Sequence, residues 1–253
     1  MNQPVTETDP AAETAAITSG VWPRHLLRHL LLDHNTGVGS RVLHVGQDGG
    51  ELVRFLTHLG IQADQLDDDP AARHTAAAGR PGRESTDFPR CHYAGPAEDI
   101  PFESHQFDLI IVDRLHAWAG TLNSPEALLT TARLLSAVKP GGYLAVVRRS
   151  GTTDFQSADG HRAACYAELL TRFPGTVTTT DLPEGLTRSE TWNWVLGRRP
   201  RPGYSIATVQ IPSEGISRNH WLQTAILASS QTGGTGCCDW AETHSTAGFR
   251  RAA

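Results

Sequence analysis

The sequence predicts an α/β protein with a mainly parallel sheet, and three observations carry that prediction. Segments patterned as strand and as helix alternate five times in succession, an order that a parallel sheet with right-handed helical crossovers satisfies. The stretch "FDLIIVD" (107–113) contains a continuous apolar run, as a strand covered on both faces requires. Finally, "RVLHVGQDGGELVRFLTHLG" (41–60) reads as a buried strand, a glycine turn and an amphipathic helix, a unit that brings backbone close to a ligand.

The elements follow in order. "SGVWPRHLLRHLLLDHN" (19–35) places Leu26, Leu27, Leu30 and Leu31 on one helical face, with Ser19 as a candidate cap and Pro23 early. "RVLHV" (41–45) is a short strand. In the helix after it Leu52, Phe55, Leu56 and Leu59 form the inner face, and Gly60 stops it. "IQADQLD" (61–67) is a second strand, and "DPAARHTAAAG" a second crossover helix with Pro70 in its first turn. "RPGRESTDFPR" (80–90) is a loop, "CHYAG" a weak third strand and "FDLIIVD" a strong fourth. "SPEALLTTARLLSAV" is a helix opened by Ser124 with Pro125 at its first position, and "KPGG" turns the chain into a fifth strand, "YLAVVRR". A helix through "HRAACYAELLTRF" and strands at "GTVTTTD" and "ETWNWVLGRR" close the sheet. Beyond a Pro-rich hinge, "RPRPG" (199–203), stand one more strand, "YSIATVQIP", and one more helix, "SRNHWLQTAILASS".

Four regions result: a disordered N-terminus (1–18), a sheet domain (19–198), a C-terminal strand–helix extension (199–230) and a flexible tail (231–253). A formal charge of -5 argues against a general nucleic-acid or anionic-membrane binder, which needs a basic face. No apolar run is long enough to cross a bilayer, and the N-terminus has no leader pattern. With four scattered cysteines and no disulfide framework, a reducing cytoplasm is the expected location. Cys237, Cys238, Asp239 and His244 fit no closed zinc pattern, so no metal is expected.

In a sheet of this kind ligands bind beyond the carboxyl ends of the strands, where strand order reverses. The turn "VGQDGG" lies there. Gly46, Gly49 and Gly50 permit close approach, and the helix start behind them favours a negative group. Asp67, after the second strand, either takes both hydroxyls of a ribose or caps the next helix. The glycine spacing lacks the second glycine of a dinucleotide fingerprint, and no P-loop occurs. Asp113 and His116 follow the fourth strand; they stand where a base would act, and a surface position serves His116 equally well. Trp22 and Trp118 either wall a pocket or pack in the core.

Four segments taken together resemble the class I S-adenosylmethionine-dependent methyltransferases of the small-molecule type: "VLHVGQDGGELVRFLTHLG", "ADQLDDDP", "AGPAEDIPFESHQFDLIIVDRLHA" and "ARLLSAVKPGGYLAVVRR". The resemblance spans about residues 22–198 and implies a Rossmann-like doubly wound sheet of about seven strands, the last antiparallel, with the N-terminal helix as a lid. It also implies S-adenosylmethionine as cofactor. Gly46 and Gly50 would approach its methionine part and Asp67 its ribose; Glu98 and Asp99 would border the adenine, with Ile100 packed near the ring. Asp113 would face the transferring methyl and the substrate, together with Arg114. The chain departs from the usual pattern at His44, which stands where the family has an acid, at Asp48 in place of the middle glycine, and at Pro96 before "AED". Asp48 is the candidate to stand in for the lost acid. The reading that follows is methyl transfer to a small molecule. Its rival is a methyltransferase-like protein with a degenerate cofactor site that binds or scaffolds without catalysis. Neither a nucleic-acid nor a membrane partner is expected, and oligomeric state is not legible.

Overall fold

The structure, a computed structural model, describes residues 22–46, 50–67, 91–93, 102–118, 120–149, 163–183 and 202–231. In chain order these form α1 (Arg24–Leu32), β1 (Arg41–Val45), α2 (Glu51–His58), β2 (Gln62–Asp67), β3 (Cys91–Tyr93) and β4 (Phe107–Val112). A single 3-10 turn (His116–Trp118) precedes α3 (Pro125–Ala137), β5 (Val138–Arg149), α4 (Ala163–Thr171), β6 (Thr176–Pro183), β7 (Pro202–Gln210) and α5 (Arg218–Gln231). The seven strands make one sheet in the order β3-β2-β1-β4-β5-β7-β6. The first five strands pair in parallel, and β7 runs antiparallel to both β5 and β6. The expected doubly wound sheet of seven strands is therefore present.

The apolar run of β4 has the cause its sequence suggested. Leu109 and Ile111 face one layer, with Trp22, Leu26 and Leu30 of the N-terminal segment and Leu52 and Leu56 of α2. Ile110 and Val112 face the other, with Leu128 and Leu135 of α3, Tyr166 of α4 and Trp221 of α5. Each such side chain, fully buried, contributes about 1.5–3 kcal/mol relative to exposure, so a strand apolar on both faces holds both layers. At the amino edge of the sheet the Asp108 carboxylate accepts from Arg41 N at 2.7 Å and from Lys139 Nζ at 2.8 Å, and Arg41 also reaches Asp64 at 2.8 Å.

Several elements differ in detail from expectation. Helix α1 begins after Pro23, which is extended and offers no side-chain cap; Ser19 lies outside the described residues. In α2 Val53 is buried while Leu59 is 44% exposed, because the short helix ends before Leu59 can turn inward. The Ser124 hydroxyl does accept from Ala127 N, at 3.1 Å, with Pro125 in the first turn of α3. "KPGG" is not a turn ahead of β5 but a bulge within it: Val138 pairs with Phe107, and Tyr143 with Leu109. The strand at "YSIATVQIP" is no appendage; as β7 it lies between β5 and β6, and α5 packs across α3 with Trp221 fully buried. "ETWNWVLGRR", the crossover helix of residues 70–79, the N-terminus and the tail beyond Gln231 lie outside the described residues.

Candidate functional site

Register builds the site. Val45 of β1 pairs with Leu66 of β2 on one side and with Val112 of β4 on the other. The next residues of the three strands are Gly46, Asp67 and Asp113, so two acidic positions flank the first glycine at the carboxyl edge of the sheet. Backbone bonds continue the ladder there: Gly46 N donates to Leu66 O at 3.1 Å, and Asp113 N donates to Val45 O at 3.1 Å. Strand order reverses between β1 and β4, the position at which open α/β sheets bind ligands.

Gly46 is required by close approach. A Cβ there would lie 1.5 Å from Asp113 Oδ1 and 3.0 Å from His44 Nε2. Gly50 is required by conformation: it caps α2 with a φ of 81°, in the left-handed region that side chains disfavour. Glu51 follows in the first turn, where a negative side chain suits the helix dipole.

His44 projects from β1 toward the α1 layer and is fully buried, with the Trp22 ring edge-on at 5.4 Å between centroids. Its Nε2 lies 3.3 Å from Asp113 Oδ1. An ionised carboxylate only accepts, so the imidazole nitrogen donates. The Asp113 side chain is 22% exposed. Its main-chain carbonyl accepts from Arg148 Nη1 at 3.0 Å, and Arg148 also bonds the Tyr166 hydroxyl and stacks its guanidinium over that ring. Asp113 is thus fixed through its N–H by β1, through its C=O by β5, and through its carboxylate by His44.

Five expected site residues, His44, Gly46, Gly50, Asp67 and Asp113, come to this one edge. Asp67 is placed there by the backbone of β2. His116 lies in the 3-10 turn that follows, three positions beyond Asp113. Asp48, Glu98, Asp99 and Ile100 lie outside the described residues, as do Cys237 to His244. The tryptophans pack inward: Trp118 is 1% exposed and its indole N–H donates to Thr131 Oγ1 at 3.1 Å, while Trp22 backs His44.

Gln65 was not anticipated. Buried in β2, its Nε2 donates to Gly46 O at 3.1 Å, and its Oε1 lies 3.2 Å from where a Cβ on Gly50 would stand. One side chain thereby touches both ends of the glycine turn. The available signal was only an amide in mid-strand, beside Leu66. Arg148 and Tyr166, also unforeseen, left only a charge at the end of "YLAVVRR" and an aromatic inside α4.

Glycine backbone that admits close contact thus lies between two acidic positions at this edge. Residues 43–146 match the family model described as "Methyltransferase domain". No curated protein matches the sequence. Among solved structures the fold is similar to a chain of the complex between the Haloferax volcanii Trm112 methyltransferase activator and its methyltransferase, with a TM-score of 0.52, 17% identity and coverage of 80% of this chain and 95% of that one. Another similar structure is a SAM-dependent methyltransferase from Archaeoglobus fulgidus, with a TM-score of 0.49, 12% identity and coverage of 78% and 99%. The family match and the sheet order together make residues 43–146 similar to a methyltransferase domain, a likeness that points to S-adenosylmethionine as cofactor. No helix among the described residues is long and apolar enough to cross a membrane.

Proposed function

We propose that this protein transfers the methyl group of S-adenosylmethionine to a small-molecule acceptor in the crevice beyond β1, β2 and β4. The observation that carries the proposal is the register that sets Asp67 and Asp113 on either side of Gly46 where strand order reverses. In this reading the turn from Gly46 to Gly50, including Asp48, lies along the methionine part of the cofactor. Asp67 takes the ribose hydroxyls, and Glu98, Asp99 and Ile100 border the adenine. The cofactor supplies an already activated methyl group. What remains for the chain is to hold the acceptor in line and exclude water. His116, beyond β4, takes the proton when the acceptor is a hydroxyl or amine.

A second reading, a binding protein without catalysis, is favoured by one observation. The Asp113 carboxylate and His44 ring already crowd Gly46. Calorimetric titration with S-adenosylmethionine and S-adenosylhomocysteine separates the two readings. Micromolar binding that disappears in Asp67→Ala supports the transferase; no binding at millimolar ligand supports the second reading. No acceptor other than a small molecule is favoured by the loop after β4, and neither a membrane nor a nucleic acid is part of the proposal.

A further inference from the structure

We infer that the Asp113 carboxylate, held by the imidazole of His44, is the counter-charge that makes this crevice prefer a cationic ligand over its neutral counterpart. The inference rests on the S-adenosylmethionine reading above and adds to it the residues that discriminate donor from product.

The geometry is that of a fixed charge. Asp113 stands at the end of a central strand, and its main chain is bonded on both sides, to Val45 O and to Arg148 Nη1. Its carboxylate already lies against β1, with Oδ1 3.3 Å from His44 Nε2 and in the space that a side chain on Gly46 would take. His44 is fully buried behind Asp113, so its effect passes through that carboxylate. It is a positioning residue. A carboxylate held in place before binding needs no reordering when the ligand arrives, which is the condition under which a charge discriminates well. The Arg148 guanidinium bonds the carbonyl of Asp113 and the hydroxyl of Tyr166 rather than the carboxylate.

The two ligands differ by one charge. S-adenosylmethionine carries a sulfonium, an ammonium and a carboxylate, a net charge of about +1 at neutral pH, whereas S-adenosylhomocysteine has lost the sulfonium and is neutral overall. A carboxylate in the crevice therefore favours the donor over the product and assists product release.

The test is the ratio of the two dissociation constants, measured by calorimetry on the full chain. Because both ligands are titrated into the same preparation, the fraction folded cancels from the ratio. Asp113→Asn is expected to weaken S-adenosylmethionine about tenfold while changing S-adenosylhomocysteine by less than about threefold, the modest size reflecting partial exposure to water. His44→Leu, which removes the donor, is expected to shift the ratio in the same direction. His44→Gln, which keeps an amide N–H, is expected to restore it to within about twofold. An unchanged ratio in Asp113→Asn overturns the inference while leaving the transferase reading intact. An unchanged ratio in His44→Leu removes His44 from it. Failure of the wild-type protein to bind either ligand overturns the reading and the inference together.

Discussion

Gly46→Ala is the most direct probe of the site's packing. The added methyl would arrive 1.5 Å from Asp113 Oδ1 and 2.6 Å from Asp113 Cγ, with His44 Nε2 at 3.0 Å. Since the main chain of Asp113 is bonded to β1 and β5, the strain has to be relieved by turning its carboxylate out of the contact with His44. A hydrogen bond to a charged group contributes about 1.5–3 kcal/mol, and hydration of a side chain that is 22% exposed returns part of it. The expected destabilisation is therefore about 2 kcal/mol, or about 4–8 °C in Tm for a chain of this size. Thermal unfolding of a double-mutant cycle isolates the cause. In an Asp113→Ala background the obstructing carboxylate is gone, and Gly46→Ala should cost less than half as much. Equal costs in the two backgrounds, or no cost in either, would refute the packing argument.

Two further outcomes follow from buried polar groups. Gln65→Leu leaves the Gly46 carbonyl without its amide donor and should lower stability by about 1–3 kcal/mol in a chemical-denaturation experiment, whereas Gln65→Glu should lose at least as much at neutral pH, because a carboxylate cannot donate. His34 has its pKa lowered, chiefly by burial and also by His29 nearby, against raising contributions from its bond to Leu30 O and from Asp33. With the folded value below the unfolded one, near 6.5, the unfolded chain takes up the proton first as pH falls. His34 therefore adds no pH dependence above about 6.5, and the fold loses stability below it. His34→Gln should flatten the decline in Tm between about pH 7 and 5, and an unaltered slope would contradict the assignment.

The parts legible in the sequence were those in which one residue has one physical reason to be there. The apolar run from Leu109 to Val112 in β4 needs two covered faces, and it has them. Ser124 and Pro125 announce a helix start, and α3 begins there. The glycine turn and Asp113 came to the expected edge because strand ends are fixed by the register of buried residues such as Val45 and Leu66. What sequence reading missed depended on distant pairing. Nothing in "YSIATVQIP" states that it will enter between β5 and β6. Nothing local in β2 shows that Gln65 reaches Gly46, nineteen positions away. His44 could be noted as a departure, but its partner, 69 positions along the chain, emerges only when β1 and β4 lie side by side.

The position of β7 has a consequence for biosynthesis. Its neighbours, β5 and β6, are both complete well before residues 202–210 leave the ribosome, yet neither has its final partner on that side until they do. During that interval the emerging chain presents two unsatisfied edges, each able to recruit a stray strand. A chain cut short before Pro202 would keep those edges for good. The last fifth of the chain thus supplies the strand that ties β6 into the sheet and covers the side of β5 that a truncated chain would leave open.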